Sequence, residues 1–356
     1  MNNFPIYDDV GSFPLPEYID RETFNQFYWT TYKAIINKID IFEHRGIQNY
    51  FINPIISSFK QKLEAGVEII NYPQHMDMYT QFLKPLSDYE SQPNLIESNK
   101  AIIPEINVIK NFAKDYYEKE GKKLEIKICI TGPIDLYIKK HNFTIYKDLA
   151  LNLSQSINHF IKNSIIDTKY LKTSIIAIDE PSFGFVDIVN INDDDIVDIL
   201  DKCFNGINSD IDYQIHLHSL KKADVPLQSQ RINILTCEYA SDKSNVIAKN
   251  DLEKYDKFIR VGITRTNIDG IIGETIDKGI NWGEIKSIEG TLKLIDSKER
   301  IKHCLKDALD HYGGRLKYIG PDCGLSGWGP PEVAHALLKR TREIITEVKK
   351  EMISKN

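Results

Sequence analysis

Short runs of apolar, β-branched residues alternate along this chain with longer stretches whose apolar positions recur at helical spacing. Residues 151–163 and 196–204 have the helical pattern, and so does the stretch 331–350 near the end of the chain. Strand and helix in repeated alternation predict a parallel sheet. Strands are predicted at residues 6–12, 67–71, 126–131, 174–179, 213–218, 232–238, 258–263 and 316–321. Eight such strands with helices between them predict an α/β fold, a (β/α)₈ TIM barrel.

Most of these predicted strands end in a polar or reactive side chain. In a parallel barrel the carboxyl ends of all strands meet at one mouth, where catalytic groups collect. We therefore expect residues far apart in the sequence to converge there. The strand-end residues are Ser12, Thr131, Asp179, His216, His218, Glu238 and Cys323.

A single barrel can account for all 356 residues, so one domain is predicted over 1–356. Within it, residues 17–64 are predicted to form helices that cover the first strands of the barrel. The stretch 331–350 is predicted to be an amphipathic helix that begins at Pro330-Pro331-Glu332. Its predicted buried face consists of Val333, Leu337, Leu338, Ile344 and Ile345.

The composition argues for a globular protein that binds neither nucleic acid nor membrane. The hydrophobic content of 42% is enough for a large core, and the net charge of -6 argues against a nucleic-acid surface. No run approaches the roughly 18 apolar residues of a membrane span. Five scattered cysteines do not form a disulfide framework, and the first residues carry no signal-peptide pattern. We therefore expect a cytoplasmic protein.

Two distant segments predict a metal site. His216 and His218 are two residues apart, so on an extended strand their side chains leave the same face. Cys323 lies in the turn Pro-Asp-Cys-Gly, where a thiolate would be exposed at the mouth and close to helix N-termini. Imidazole and thiolate ligands together suit Zn²⁺, which is therefore the predicted cofactor.

A further ligand is expected from Cys237 or Glu238, which are adjacent in the sequence. Neighbouring strand residues point to opposite faces, so one of the two joins the site and the other packs outward. The periodicity of the strand does not decide between them.

Three motifs resemble the C-terminal catalytic barrel of cobalamin-independent methionine synthase. The opening strand has Val-Gly-Ser-Phe-Pro at 10–14, the middle of the chain has Ile-Asp-Glu-Pro at 178–181, and the last strand has Gly-Pro-Asp-Cys-Gly-Leu at 320–325. The resemblance covers nearly the whole chain and implies a short, single-barrel member of that family.

The resemblance implies roles for individual residues. It implies zinc ligation by His216, His218, Glu238 and Cys323, with His218 where the family usually has cysteine. Ser12 and Asp179 fall where the family holds the amino-acid end of homocysteine, and Tyr72 falls near its amino-binding glutamate. Asp77 faces the substrate or caps a helix. Asn267 falls near the family's proton-donating histidine, so Asp179 and Asn267 are the predicted catalytic residues.

The predicted function is zinc-dependent transfer of a methyl group to a small thiol, homocysteine or a relative of it. The donor is a methylated pterin or a methyl-corrinoid protein, and the chain has no counterpart to the family's folate-stacking tryptophan after Thr131-Gly132-Pro133. Two alternatives remain. One is a metal-dependent lyase or hydrolase with Asp179 or Glu180 as acid or base. The other is a barrel that has lost catalysis and only binds.

Overall fold

A computed structural model describes residues 4–87, 96–207, 210–279, 281–285 and 287–355 of the chain. All eight predicted strands are present, and every pair of neighbouring strands is parallel. They are β1 Ile6–Tyr7, β2 Ile69–Asn71, β3 Leu124–Thr131, β4 Leu171–Asp179, β5 Asp212–His216, β6 Ile234–Cys237, β7 Phe258–Thr264 and β8 Leu316–Pro321.

The sheet closes on itself. Its strand order is β1-β8-β7-β6-β5-β4-β3-β2, which leaves β1 and β2 as the two ends. An isolated parallel bridge joins Asp8 to Ile69, and the Glu68 amide donates to the carbonyl of Tyr7 at 2.9 Å. With helices between successive strands, this is the predicted (β/α)₈ barrel, and the prediction is confirmed.

Helices surround the strands. They are α1 Arg21–Ile36, α2 Arg45–Ile47, α3 Asn53–Glu64, α4 Met78–Ser87, α5 Pro104–Glu120, α6 Pro133–His141, α7 Lys147–Ser164, α8 Asp193–Lys202, α9 Asp224–Leu227, α10 Lys249–Lys254, α11 Ile268–Asp277, α12 Trp282–Ile285, α13 Ile288–Leu294, α14 Lys298–Tyr312 and α15 Pro331–Lys355. A π-helical turn, Gln48–Ile52, joins α2 to α3, and 3₁₀ turns occupy Ser98–Lys100 and Gly313–Arg315. Among the residues described, no helix is long and apolar enough to cross a membrane.

The predicted terminal helix is confirmed as α15. All five residues of its predicted apolar face are buried, with at most 1% of their surface exposed. The segment 17–64 forms α1 to α3 in the connection between β1 and β2, and α3 packs against α5 and α15. The predicted domain 1–356 also includes stretches outside the described residues.

Buried charges hold the first strand to the rest of the barrel. Asp8 is fully buried and accepts from Arg260 Nε at 2.6 Å and from Lys127 Nζ at 3.0 Å. Beside it, Lys62 Nζ lies 2.6 Å from Asp9 Oδ2 and donates to the carbonyl of Gly11 at 2.5 Å. Since β1 has only two residues in regular pairing, these ion pairs add contacts from the residues just after it to β3, β7 and α3, and removing one partner of such a buried pair is costly.

Candidate metal centre

Four side chains converge at the carboxyl ends of β5, β6 and β8. One ligand atom from each of His216, His218, Glu238 and Cys323 lies within 4.8 Å of the other three. Cys323 Sγ is 3.5 Å from His216 Nε2 and 3.6 Å from His218 Nε2. Glu238 Oε1 is 4.0 Å from His216 Nε2 and 3.5 Å from His218 Nε2. The four residues that the sequence predicted as ligands therefore form one cluster, although up to 107 positions separate them.

The spacing of the sulfur from the two imidazole nitrogens fits a tetrahedral zinc ion. Bonds of about 2.1 Å to nitrogen and about 2.3 Å to sulfur place the two donors about 3.6 Å apart at a tetrahedral angle. Both observed sulfur–nitrogen distances agree with this value. Moreover, Glu238 Oε1 is buried and has no hydrogen-bond partner among the described residues. A bound cation would supply the partner that this oxygen lacks.

The electrostatics of the cluster also favour a cation. Burial lowers the pKa of His216 well below its usual value, with a further contribution from the neighbouring His218, and burial lowers the pKa of His218 as well. Burial raises the pKa of Glu238 to about 8, with a further contribution from Asp322, and it raises the pKa of the Cys323 thiol as well. Burial thus disfavours the charged form of each of the four side chains: two imidazolium cations, one carboxylate and one thiolate. A divalent cation would bind the neutral imidazoles and would stabilise the carboxylate and the thiolate as ligands.

Asp322, next to Cys323, joins two of the loops that carry ligands. Its Oδ1 accepts from the amide of Ala240 at 3.0 Å, and its Oδ2 accepts from the amide and the hydroxyl of Ser241 at 2.7 and 2.6 Å. These bonds tie the turn after β8 to the loop after β6, and so they fix Cys323 relative to Glu238. This role of Asp322 could not be predicted from the sequence, because its partners are 81 and 82 residues away.

Replacing Asp322 by asparagine should weaken metal binding about 10- to 100-fold, as is usual for groups that orient metal ligands. An amide offers one oxygen acceptor where the carboxylate uses two, so the two loops would separate. Competition with a chromogenic chelator measures the affinity. An unchanged affinity in a folded Asp322→Asn variant would show that the loops hold their positions without it.

Cys237 points away from the cluster. It is fully buried, and its Sγ donates to the carbonyl of Asn245 at 2.7 Å. Of the two adjacent candidates, it is therefore Glu238 that the structure brings to the histidines.

A cavity of about 530 Å³ opens beside the cluster. His216, His218 and Cys323 form part of its wall, and Ser12 and Asp179 lie in the same wall. Much of the remaining wall comes from the first part of the chain, and among these further residues only Asp77 was predicted from the sequence to face the substrate. Those residues are Val10, Arg21, Asn25, Gln74, His75, Met76, Asp77 and Met78.

The comparisons with known proteins point to one family, although no protein-family model matches the chain. A methionine synthase of Sulfolobus acidocaldarius is 19% identical over 336 residues, covering 89% of this chain and 84% of that protein. A methionine synthase of Sulfurisphaera tokodaii is 20% identical over 347 residues, covering 91% and 88%. The resemblance to methionine synthases is confirmed.

A solved structure supports the fold independently. The B12-independent methionine synthase from Shewanella sp. W3-18-1, determined in complex with selenomethionine, superposes with a TM-score of 0.63 at 14% identity. The match covers 99% of this chain and all of that one. At this identity the likeness concerns the barrel itself.

Two of the residues with roles implied by the methionine synthase resemblance, Asp179 and Ser12, lie in the cavity wall together with three of the cluster residues. Asp179 ends β4, next to His216 of β5 in the strand register, and it is 94% buried. Burial raises the pKa of Asp179 to about 7, and a hydrogen bond from Cys129 opposes the shift. Ser12 packs against the turn after β8, where a Cβ at Gly324 would overlap the serine hydroxyl.

The other three residues with implied roles, Tyr72, Asp77 and Asn267, make hydrogen bonds within the protein. Tyr72 is fully buried outside the cavity wall, and its hydroxyl donates to the carbonyl of Cys129 at 2.8 Å. Asp77 lies in the cavity wall, but its Oδ1 accepts from the amide and the hydroxyl of Thr80 at 2.8 and 2.7 Å and thereby caps α4. Asn267 is exposed and caps α11 by accepting from the amide of Gly270 at 3.1 Å. Their predicted substrate and catalytic roles remain predictions.

Both carboxylate oxygens of Glu180 already accept hydrogen bonds from the backbone. Its two carboxylate oxygens accept from the amides of Ile134 and Asp135 at 3.0 and 2.7 Å, at the N-terminus of α6. Because both oxygens cap this helix, Glu180 is a poor candidate for the acid or base that a hydrolase or lyase would need at this mouth.

Proposed function

We propose that this protein is a zinc-dependent methyltransferase whose acceptor is a small thiol with an amino group, of which homocysteine is the model. The observation that carries the proposal is the convergence of two imidazoles, one carboxylate and one thiol beside a cavity whose wall includes Asp179, a carboxylate with one buried, unpartnered oxygen. The two relatives named methionine synthase, and the related barrel solved with selenomethionine, support the same assignment.

His216, His218, Glu238 and Cys323 would hold the metal. Zn²⁺ held there would supply Lewis acidity, which lowers the pKa of a substrate thiol and makes it a nucleophile near neutral pH. His218 gives this site an imidazole where the family usually has a second thiolate. The donor set is then less electron-rich, so we expect it to acidify the thiol more strongly and to leave the sulfur less nucleophilic.

Asp179 provides the contact for the amino group of the acceptor. Its Oδ1 is buried and has no hydrogen-bond partner within the described part of the chain. Its neighbour in the strand register is the ligand His216, so this oxygen lies near the thiol-binding end of the cavity. A substrate ammonium group at Oδ1 would supply the missing partner and would orient the sulfur toward the cluster. We expect the Ser12 hydroxyl, from the same wall, to bind the acceptor's carboxylate.

The chain's residues favour a corrinoid donor over a methylated pterin. Pterin departure needs a proton on its nitrogen, and Asn267, where the family has its proton donor, is an amide that already caps a helix. A methyl-corrinoid needs no such acid. The acceptor sulfur forms its bond to the methyl carbon while the carbon–cobalt bond breaks, and both electrons of that bond remain on cobalt.

A product assay tests the proposal. Zinc-loaded protein is incubated with homocysteine and either methylcobalamin or 5-methyltetrahydrofolate, and methionine is quantified. We expect methionine with the corrinoid donor. Replacing homocysteine by 4-mercaptobutyrate, which lacks the amino group, should lower kcat/KM about 10- to 100-fold through loss of a charged hydrogen bond. No methionine with either donor, or turnover of an ester without any methyl donor, would contradict the proposal.

A further inference from the structure

We propose that Cys129 is a positioning residue for acceptor recognition, which holds one oxygen of the Asp179 carboxylate and leaves the other for the acceptor's amino group. This proposal rests on the function proposed above. It concerns a thiol that lies outside the metal cluster and that neither the motifs nor the family resemblance singled out.

The contact between Cys129 and Asp179 joins two neighbouring strands. Cys129 lies on β3 in register with Ala177 of β4, two residues before Asp179, so both side chains leave the same face of the sheet. The Cys129 thiol donates to Asp179 Oδ2. The other oxygen, Oδ1, has no partner in the described part of the molecule, and Asp179 is a wall residue of the cavity. The Cys129 thiol thus holds one carboxylate oxygen, and the other oxygen of this wall residue is buried without a partner.

Cys129 is itself held in place. It is fully buried, and the hydroxyl of Tyr72 donates to its backbone carbonyl at 2.8 Å. Tyr72 is also fully buried and follows β2 directly in the sequence. The three residues therefore form a chain of contacts from β2 through β3 to β4. Tyr72, which the resemblance placed beside the substrate, reaches the acceptor site through Cys129 and Asp179.

A thiol suits this position because it stays protonated. Burial, together with the nearby Asp179, raises the pKa of Cys129 well above its usual value, so the group is a hydrogen-bond donor at any physiological pH. Without this donor, Asp179 would have two buried oxygens free to rotate. The carboxylate would then lose both its fixed orientation and part of the stabilisation of its charged form.

Variants of Cys129 test the proposal by comparing two acceptors. Cys129→Ala and Cys129→Val remove the donor, Val with little change of volume, whereas Cys129→Ser keeps a donor. The measured quantities are KM and kcat for homocysteine and for 4-mercaptobutyrate, together with zinc content. We expect KM for homocysteine to rise about tenfold or more in the Ala and Val variants. KM for 4-mercaptobutyrate, kcat and zinc content should change little, and Cys129→Ser should remain near wild type.

The outcomes separate this inference from the proposed function. If the wild type prefers homocysteine and both donor-lacking variants keep that preference, the positioning role is wrong while the proposed function stands. Equal loss for both acceptors would show a merely structural role. If the wild type itself does not distinguish the two acceptors, the proposed amino-group contact fails, and the inference fails with it. Cys203→Ala, a buried cysteine outside the cavity wall, is the matched control and should behave as wild type.

Discussion

Replacing Cys323 by serine should abolish methyl transfer and weaken zinc binding. Cys323 Sγ contributes the one sulfur of the described cluster, and a serine hydroxyl at this position would be a poor ligand because it stays protonated near neutral pH. The loss should exceed the roughly 10- to 100-fold cost that is typical for groups that merely orient ligands. Zinc content after dialysis and the rate of methionine formation are the two measurements.

The matched control for this prediction is Cys304→Ser. Cys304 is a buried cysteine of α14 that lies outside the cluster and the cavity wall. It should retain both zinc and activity. If Cys323→Ser retained full activity with about one zinc per chain, the thiolate would not be a ligand. The proposed set of four zinc ligands would then be wrong.

Replacing Asp8 by alanine should destabilise the barrel by about 3–5 kcal/mol, the usual cost of removing one partner from a buried ion pair. The substitution leaves two buried cations, Arg260 and Lys127, without their shared carboxylate. It also removes a connection between β1 and strands β3 and β7. Urea unfolding followed by circular dichroism measures the free energy of unfolding.

An exposed pair provides the comparison for Asp8. Asp167 and Lys123 are 2.8 Å apart, but their side chains are 72% and 37% exposed. Because exposed ion pairs contribute little, Asp167→Asn should leave the unfolding midpoint unchanged. A small effect of Asp8→Ala, comparable to that of Asp167→Asn, would contradict the view that the buried charges close the barrel.

Much of the fold could be predicted from the sequence because the parallel barrel repeats one simple pattern. Each strand is a short apolar run, and its carboxyl end faces the common mouth. That rule alone brought His216, His218 and Cys323 together. The predicted strand boundaries were less accurate. Ser12, His218 and Glu238 lie beyond the ends of their strands. Their sequences look like strand because loop residues beside a site are also extended and have apolar neighbours.

The contacts that orient the site could not be predicted in the same way. Asp322 and Glu180 are acidic residues within motifs, yet both accept hydrogen bonds from backbone amides that are 45 to 82 residues away. Cys129 has the same sequence context as any apolar strand residue, and its partner Asp179 is 50 residues away. Such pairings depend on the register between strands, which hydrophobic periodicity does not specify.

The most direct test of the account is the number of sulfur ligands on the zinc before and after a thiol is added. Zinc K-edge X-ray absorption of the zinc-loaded protein should give one sulfur, from Cys323, together with nitrogen and oxygen ligands. After addition of homocysteine we expect two sulfurs at about 2.3 Å, with the acceptor thiolate in place of one nitrogen or oxygen ligand of the protein. A spectrum that homocysteine leaves unchanged would mean that the metal does not bind the acceptor thiol, and it would contradict the proposed methyltransferase mechanism.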